Sequence, residues 1–202
     1  MKTAAKIVLL LQVTFVLAVG PGISQEPVRE MLEGTETPVS DTSDETGSCI
    51  VFTNYVIRTG VSDEGGEDLT VYTRGNEKGC QITRKPLLYV ANEDNNAFWG
   101  LAGRMLFVDS GTSVESRGLE VFDLEKGTSI IGFVYSGEPR LEDGRTIRFD
   151  APSETPGPIR TCKEAAKWKR EGGSVGWVQG KRLDLDTLKQ TNVGGLRCIY
   201  MQ

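Results

Sequence analysis

From residue 49 onward, apolar residues come in short bursts broken by Gly, Asn and Asp, the pattern of a chain built from strands and turns. Residues 49–57 (Cys-Ile-Val-Phe-Thr-Asn-Tyr-Val-Ile) are β-branched or aromatic on both faces, which predicts one central strand. Leu69 and Val71 alternate with Thr70 and Tyr72 in a second, and 87–90 form a third. The apolar run 105–108 closes on Asp109-Ser110-Gly111. Segments 119–122 and 129–135 flank Asp123-Leu124-Glu125-Lys126-Gly127, which predicts a hairpin whose Asp caps the turn and whose Gly takes positive φ. Ile147 and Phe149 alternate with polar neighbours, so one face of that strand is wet. Residues 151–158 hold three Pro and a Gly and read as a loop. Segments 175–179, 183–185 and 196–200 read as further strands.

One helix is expected, over 162–171. Thr161 and Glu164 have capping-box spacing, Ala165 and Ala166 favour helix, and Gly172-Gly173 ends it. The expected fold is therefore mainly β: a sandwich or partly closed barrel of about ten short strands, with blade-like hairpins and one short helix. Phe122-Asp123-Leu124-Glu125-Lys126 echoes Leu185-Asp186-Thr187-Leu188-Lys189, and each resembles the outer hairpin of a β-propeller blade. A propeller needs at least four blades of roughly 40–45 residues, more than residues 49–202 supply.

The first 48 residues are of another kind. Lys2 and Lys6, the apolar run 7–19 and the small residues Gly20 to Ser24 follow the order of a secretory signal peptide, with a cut after Ser24. The run is too short, and too soon broken by Gly-Pro-Gly, for a membrane anchor. No later stretch reaches spanning length, so no stable membrane span is expected. Residues 25–48 carry seven acids and one base among Pro, Gly, Ser and Thr. With few apolar side chains to offset ordering entropy, they read as an acidic disordered leader. Residues 49–202 are then a single β-rich domain.

Charge and chemistry narrow the function. The 202-residue chain has net charge −5, but the domain holds 20 Lys and Arg against 21 Asp and Glu. It lacks the basic excess of a nucleic-acid binder, and no nucleic-acid partner is expected. There is no His, which excludes Ser-His-Asp and Cys-His catalysis and His-ligated zinc. Phosphate-loop and dinucleotide-loop patterns are missing, as are Ser-x-x-Lys and Gly-x-Ser-x-Gly, so no cofactor is expected.

The four cysteines, Cys49, Cys80, Cys162 and Cys198, are an even set, which in an exported chain suggests two disulfides. Of three pairings, Cys49–Cys80 and Cys162–Cys198 close the shorter loops and are favoured. Metal binding is the rival reading, but neither CxxC spacing nor His supports it. The oxygen-rich loops 63–68 and 92–96 do not follow the order that wraps calcium, and read as solvated turns. Asp109, Glu115, Glu120, Glu138 and Asp150 are candidates for a glycosidase carboxylate pair, but no two of them can be singled out. Trp99, after Phe98 and before Gly100, is a candidate for stacking on a sugar or anchoring a protein, with packing over the core as the plainer reading. Trp168 and Trp177 are expected to pack on the sheet and in the core.

No catalytic or metal residue is therefore assigned. The expected function is an exported, secreted or periplasmic β-domain, a non-catalytic binding or interaction protein of the cell envelope with a protein or glycan partner. A carboxylate-dependent glycan hydrolase and a structural subunit of an envelope complex are the alternatives. The two N-terminal lysines and the absence of an Asn-x-Ser/Thr sequon point to a bacterial source.

Overall fold

The computed structural model describes residues 30–62, 65–76, 79–113 and 115–202. Residues 1–29, where the sequence leads one to expect a signal peptide and the start of a leader, lie outside them. The chain is mainly β, with two antiparallel sheets stacked as a sandwich. The first sheet has five strands in chain order: β1 (Ser40–Asp44), β2 (Gly47–Val51), β3 (Tyr55–Val61), β4 (Glu67–Thr73) and β5 (Leu88–Val90). The second has seven: β6 (Ala97–Ala102), β7 (Met105–Ser110), β8 (Arg117–Asp123), β9 (Thr128–Glu142), β10 (Thr146–Pro152), β11 (Ser174–Asp184) and β12 (Lys189–Met201). A 3-10 turn (Ile159–Thr161) and one helix, α1 (Ala165–Arg170), interrupt the passage from β10 to β11.

Two cores follow from strand alternation. Leu106 and Val108 of β7 face the five-stranded sheet, where Ile50, Phe52, Ile57, Leu69 and Val71 meet them. Met105 and Phe107 face the other way and join Leu119, Val121, Ile147, Phe149 and Leu183. The seven-stranded sheet thus curls so that β7 and β8 share a core with β10 and β11. Buried on both faces, β7 reads as an unbroken apolar run. The 15-residue β9 serves both halves of the sheet: Thr128–Tyr135 pairs with β8, and its later part with β10 after a bulge around Gly137.

The structure differs from the sequence reading at four places in the body of the fold, and at Trp99, taken up below. Residues 30–48, expected as disordered leader, belong to the folded body. Leu32 is 2% exposed in the second core, and β1 is built from Ser40–Asp44. Backbone bonds hold this segment on both sides: Leu32 N–H donates to Trp99 O, Glu36 N–H to Leu101 O and Leu141 N–H to Glu33 O, each at 2.7 Å. Sparse apolar content did not prevent ordering because two existing strand edges satisfy the segment's backbone.

The expected single strand 49–57 is a hairpin, closed by the bond from Phe52 N–H to Tyr55 O (2.8 Å), with Phe52 fully buried in the first core. No Gly or Pro marks this turn. The capping box does not form: Thr161 Oγ1 donates to Pro158 O inside the 3-10 turn, and α1 begins later, without a side-chain cap. Finally, β11 is one strand where two were expected, because Gly180 sits in a register shift that the ladder to β12 absorbs.

The predicted turn after β8 forms as expected. Asp123 Oδ1 accepts from Glu125 N–H (3.0 Å) and Lys126 N–H (3.3 Å), and Gly127 has φ +66°. In the echoing turn, Asp184 rather than Asp186 does this work, accepting from Asp186 N–H (3.1 Å) and Thr187 N–H (2.8 Å).

Candidate functional site

The structure forms both favoured disulfides, Cys49–Cys80 and Cys162–Cys198. The first staples β2 to the segment after β4, and the second ties the turn before α1 to β12. Of the two oxygen-rich loops, 63–68 is described from Gly65 onward. Its acceptors bind neighbouring backbone: Asp68 Oδ1 takes Asn92 N–H (2.8 Å), and Glu67 Oε2 takes Phe98 N–H (3.0 Å).

Trp99 lies in β6 rather than in a loop. A register shift between Phe98 and Gly100 sends Phe98 into the first core, while Trp99, half-buried, packs on the second. The Trp99 ring stacks on Tyr135, with centroids 5.3 Å apart and planes 16° apart. One face of the indole is therefore already covered.

The five candidate carboxylates separate. Asp109 is buried, with Tyr135 OH donating to Oδ1 (2.7 Å) and Arg117 Nε to Oδ2 (2.7 Å); Arg117 Nη2 makes a further contact with Oδ2. Burial, then the bond to Asp109, holds the Tyr135 phenol far above the usual tyrosine range. The same carboxylate raises the already high Arg117 pKa. Both oxygens of Asp109 are thus held by donors from one pair of facing residues, since Arg117 and Tyr135 are cross-strand partners.

Just beyond this pair, β9, β10, β11 and β12, with Glu115 and Ser116 ahead of β8, line a hollow. It has two lobes of about 380 and 300 Å³ that share Glu115, Ser136, Val178 and Ile199. Val178 is fully buried and, with Ile199, gives an apolar floor. Trp177 walls one lobe. Tyr200, 39% exposed, borders the other, its ring on the opposite face of β12 from Ile199 and edge-on to Trp168 of α1 at 6.1 Å. Gly173 and Gly157 have no side chain where the Tyr200 and Trp177 rings pass, and a Cβ at either would overlap the ring.

Polar groups rim the hollow. Gln202 N–H donates to Glu115 Oε1 (2.6 Å), and Arg197 Nη2 pairs with Asp150 Oδ2. Ser136, also on the rim, is next in sequence to Tyr135.

No family model matches the chain, and no curated protein or solved structure is significantly similar to it. The site therefore rests on its own geometry.

Two of the five candidate acids, Glu115 and Asp150, line one hollow. Glu120 and Glu138 do not line it, and Asp109 is taken up by Arg117 and Tyr135. Sequence reading missed Tyr200, Ser136 and Arg197. The one local signal for Tyr200 was an aromatic residue near the end of a strand mostly exposed to solvent. A larger space of about 510 Å³ lies on the outer face of β1–β4 around Cys49–Cys80. It is walled mainly by short hydroxylated side chains, including Thr42, Ser48 and Thr70, and lacks an apolar floor.

Proposed function

We propose that the protein is an exported carbohydrate-binding domain of the bacterial cell envelope, and that the hollow lined by β9, β10, β11 and β12 is its site. The observation that carries this reading is the lining of the hollow. Val178 and Ile199 give an apolar floor, and Glu115 and Asp150 stand on the same rim. A sugar ring presents an apolar C–H face and a girdle of hydroxyls. An apolar floor suits the first, and carboxylate acceptors suit the second. Two disulfides support export, since such bonds persist in oxidising compartments. The order of charged, apolar and small residues over 1–24 supports a secretory leader.

Glycan-array screening of the mature domain tests this reading. Saccharide binding is expected, and Ile199→Ala, which strips the floor, is expected to weaken it about tenfold, or on the order of 1.4 kcal/mol. Binding that ignores Ile199, or no binding to any saccharide, refutes it.

A second reading has its own observation: Glu115 and Asp150 line one hollow, as a hydrolytic pair must. If the site is hydrolytic, a bound oligosaccharide is cleaved and Glu115→Gln abolishes cleavage while sparing binding. Recovery of intact ligand after prolonged incubation decides for binding alone.

A further inference from the structure

The passage from β10 to β11 forms a basic knob on the body of the domain. Residues 160–170 carry five bases, Arg160, Lys163, Lys167, Lys169 and Arg170, against one acid, Glu164, on a chain whose net charge is −5. Glu171 follows directly. All five bases are exposed, and Cys162 is the one buried residue between 159 and 171.

Among the described residues no acid forms an ion pair with any of the five. Arg170 Nε donates to Ala166 O inside α1 (3.2 Å). Lys163, Lys167 and Arg170 are spaced four and three residues apart, so they emerge one above another along the helix and the turn leading into it. Ala165 and Trp168, both half-buried, mark the opposite side, which packs on the body. Like charges at this spacing repel one another, and an anionic counterpart relieves that repulsion.

The knob is fixed before any partner arrives. Cys162 is bonded to Cys198, and the Trp168 ring stands edge-on to Tyr200. The bases are therefore carried on a pre-ordered element, and binding requires little further ordering.

Its shape selects the partner. Residues 159–171 line none of the spaces described above, so these offer the bases no cleft in which to grip a chain or a small molecule. A protruding face can instead lie against a flat one. Ile159, next to Arg160, is 62% exposed and belongs to neither core. Bases around an exposed apolar side chain match a phospholipid surface: its phosphates attract the first, and its acyl boundary takes the second.

We infer that the protein docks peripherally on an anionic phospholipid surface through Lys163, Lys167 and Arg170, with Ile159 entering the headgroup layer. This goes beyond the carbohydrate reading and is independent of it. Helix α1 lies over the Tyr200 face of β12, whereas Ile199 faces the other way, so lipid and sugar can be held together.

Co-sedimentation of the mature domain with vesicles tests the inference. Vesicles of equal parts phosphatidylglycerol and phosphatidylcholine are expected to bind it and pure phosphatidylcholine vesicles are not, with binding weakening as salt rises. Lys163→Gln, Lys167→Gln and Arg170→Gln are each expected to weaken binding about fivefold. Lys189→Gln removes the same charge from the far end of β12 and is expected to leave binding unchanged. Ile159→Ser is expected to weaken it about threefold. Circular dichroism melting confirms that each variant is folded.

Equal binding to the two kinds of vesicle overturns the inference. So does a loss in the three knob variants no greater than in Lys189→Gln, or an Ile159→Ser protein that binds like the parent. Oligogalacturonate bound through Lys167 as tightly as the mixed vesicles would show that charge is read in any form, and also overturns it.

Discussion

Leu32→Ala tests whether the acidic N-terminal segment is part of the folded body. Leu32 is 2% exposed and packs in the second core, whose members include Leu141 and, partly buried, Trp99. Leucine-to-alanine changes in packed cores cost about 2–5 kcal/mol, the larger values arising where the site cannot collapse. Backbone bonds tie Leu32 to Trp99 and Glu33 to Leu141, so the walls of the vacated space are held apart. A cost of about 3–4 kcal/mol follows. For a domain of this size that corresponds to a melting shift of about 10 °C. With a urea m-value of about 2 kcal/mol/M, the midpoint falls by about 1.5–2 M. Val39→Ala is the matched control: Val39 belongs to the same segment but is 60% exposed, and its loss should stay within about 0.5 kcal/mol. Deleting the residues before Thr37 also removes the three backbone bonds to β6 and β9, each contributing about 1 kcal/mol, so it should destabilise more than the point change. Urea unfolding of all four proteins decides the matter. If Leu32→Ala and the deletion both unfold at the parent midpoint, the segment is a solvated spacer and the second core does not need it.

Three other predictions concern the body of the domain. Asp109→Asn leaves Arg117 without its charge partner; because that side chain is about one-third exposed, solvent screens the loss and about 2 kcal/mol is expected by urea unfolding. Tyr135→Phe should cost about 1–2 kcal/mol at neutral pH. It should also flatten the alkaline limb of the stability profile. The folded protein holds the phenol proton to higher pH than the unfolded chain, so this contribution is intact below pH ~10 and is lost as pH climbs beyond it. An unchanged alkaline slope in the Phe variant would contradict a buried phenol at that position. Replacing Cys162 and Cys198 together by Ser opens a loop of sequence separation 36 and should cost about 2–4 kcal/mol. It should also loosen α1 from β12, so that the fluorescence of Trp168, now edge-on to Tyr200, shifts to the red. An unaltered spectrum would mean that the helix docks without the staple.

Local features were legible where a short stretch decides its own conformation. Asp123 and Gly127 announced their turn because a side-chain acceptor and a residue tolerant of positive φ act within a few positions. The alternation through Ile147 and Phe149 announced a strand with one wet face, and β7 announced its burial by an unbroken apolar run. An even set of cysteines announced two staples. These local signals were enough to predict a mainly β fold, a sandwich or a partly closed barrel.

Long-range placement was not legible. The turn at Phe52 is set by the first core drawing that ring inward, and nothing in the flanking β-branched run marks it. The segment around Leu32 looked too polar to fold because composition counts side chains, whereas its order comes from backbone groups on β6 and β9. Glu115, Asp150 and Ile199 lie apart in sequence. Alone, each is an ordinary polar or apolar residue among many. Their meeting depends on the bulge in β9 and the curl of the seven-stranded sheet, which no local pattern encodes. By itself, then, the sequence determined strands, turns, cysteine staples and the catalytic types that a chain without histidine excludes. Tertiary structure decided which acids, apolar side chains and guanidiniums share a surface, because that depends on register and curvature summed over the whole sheet.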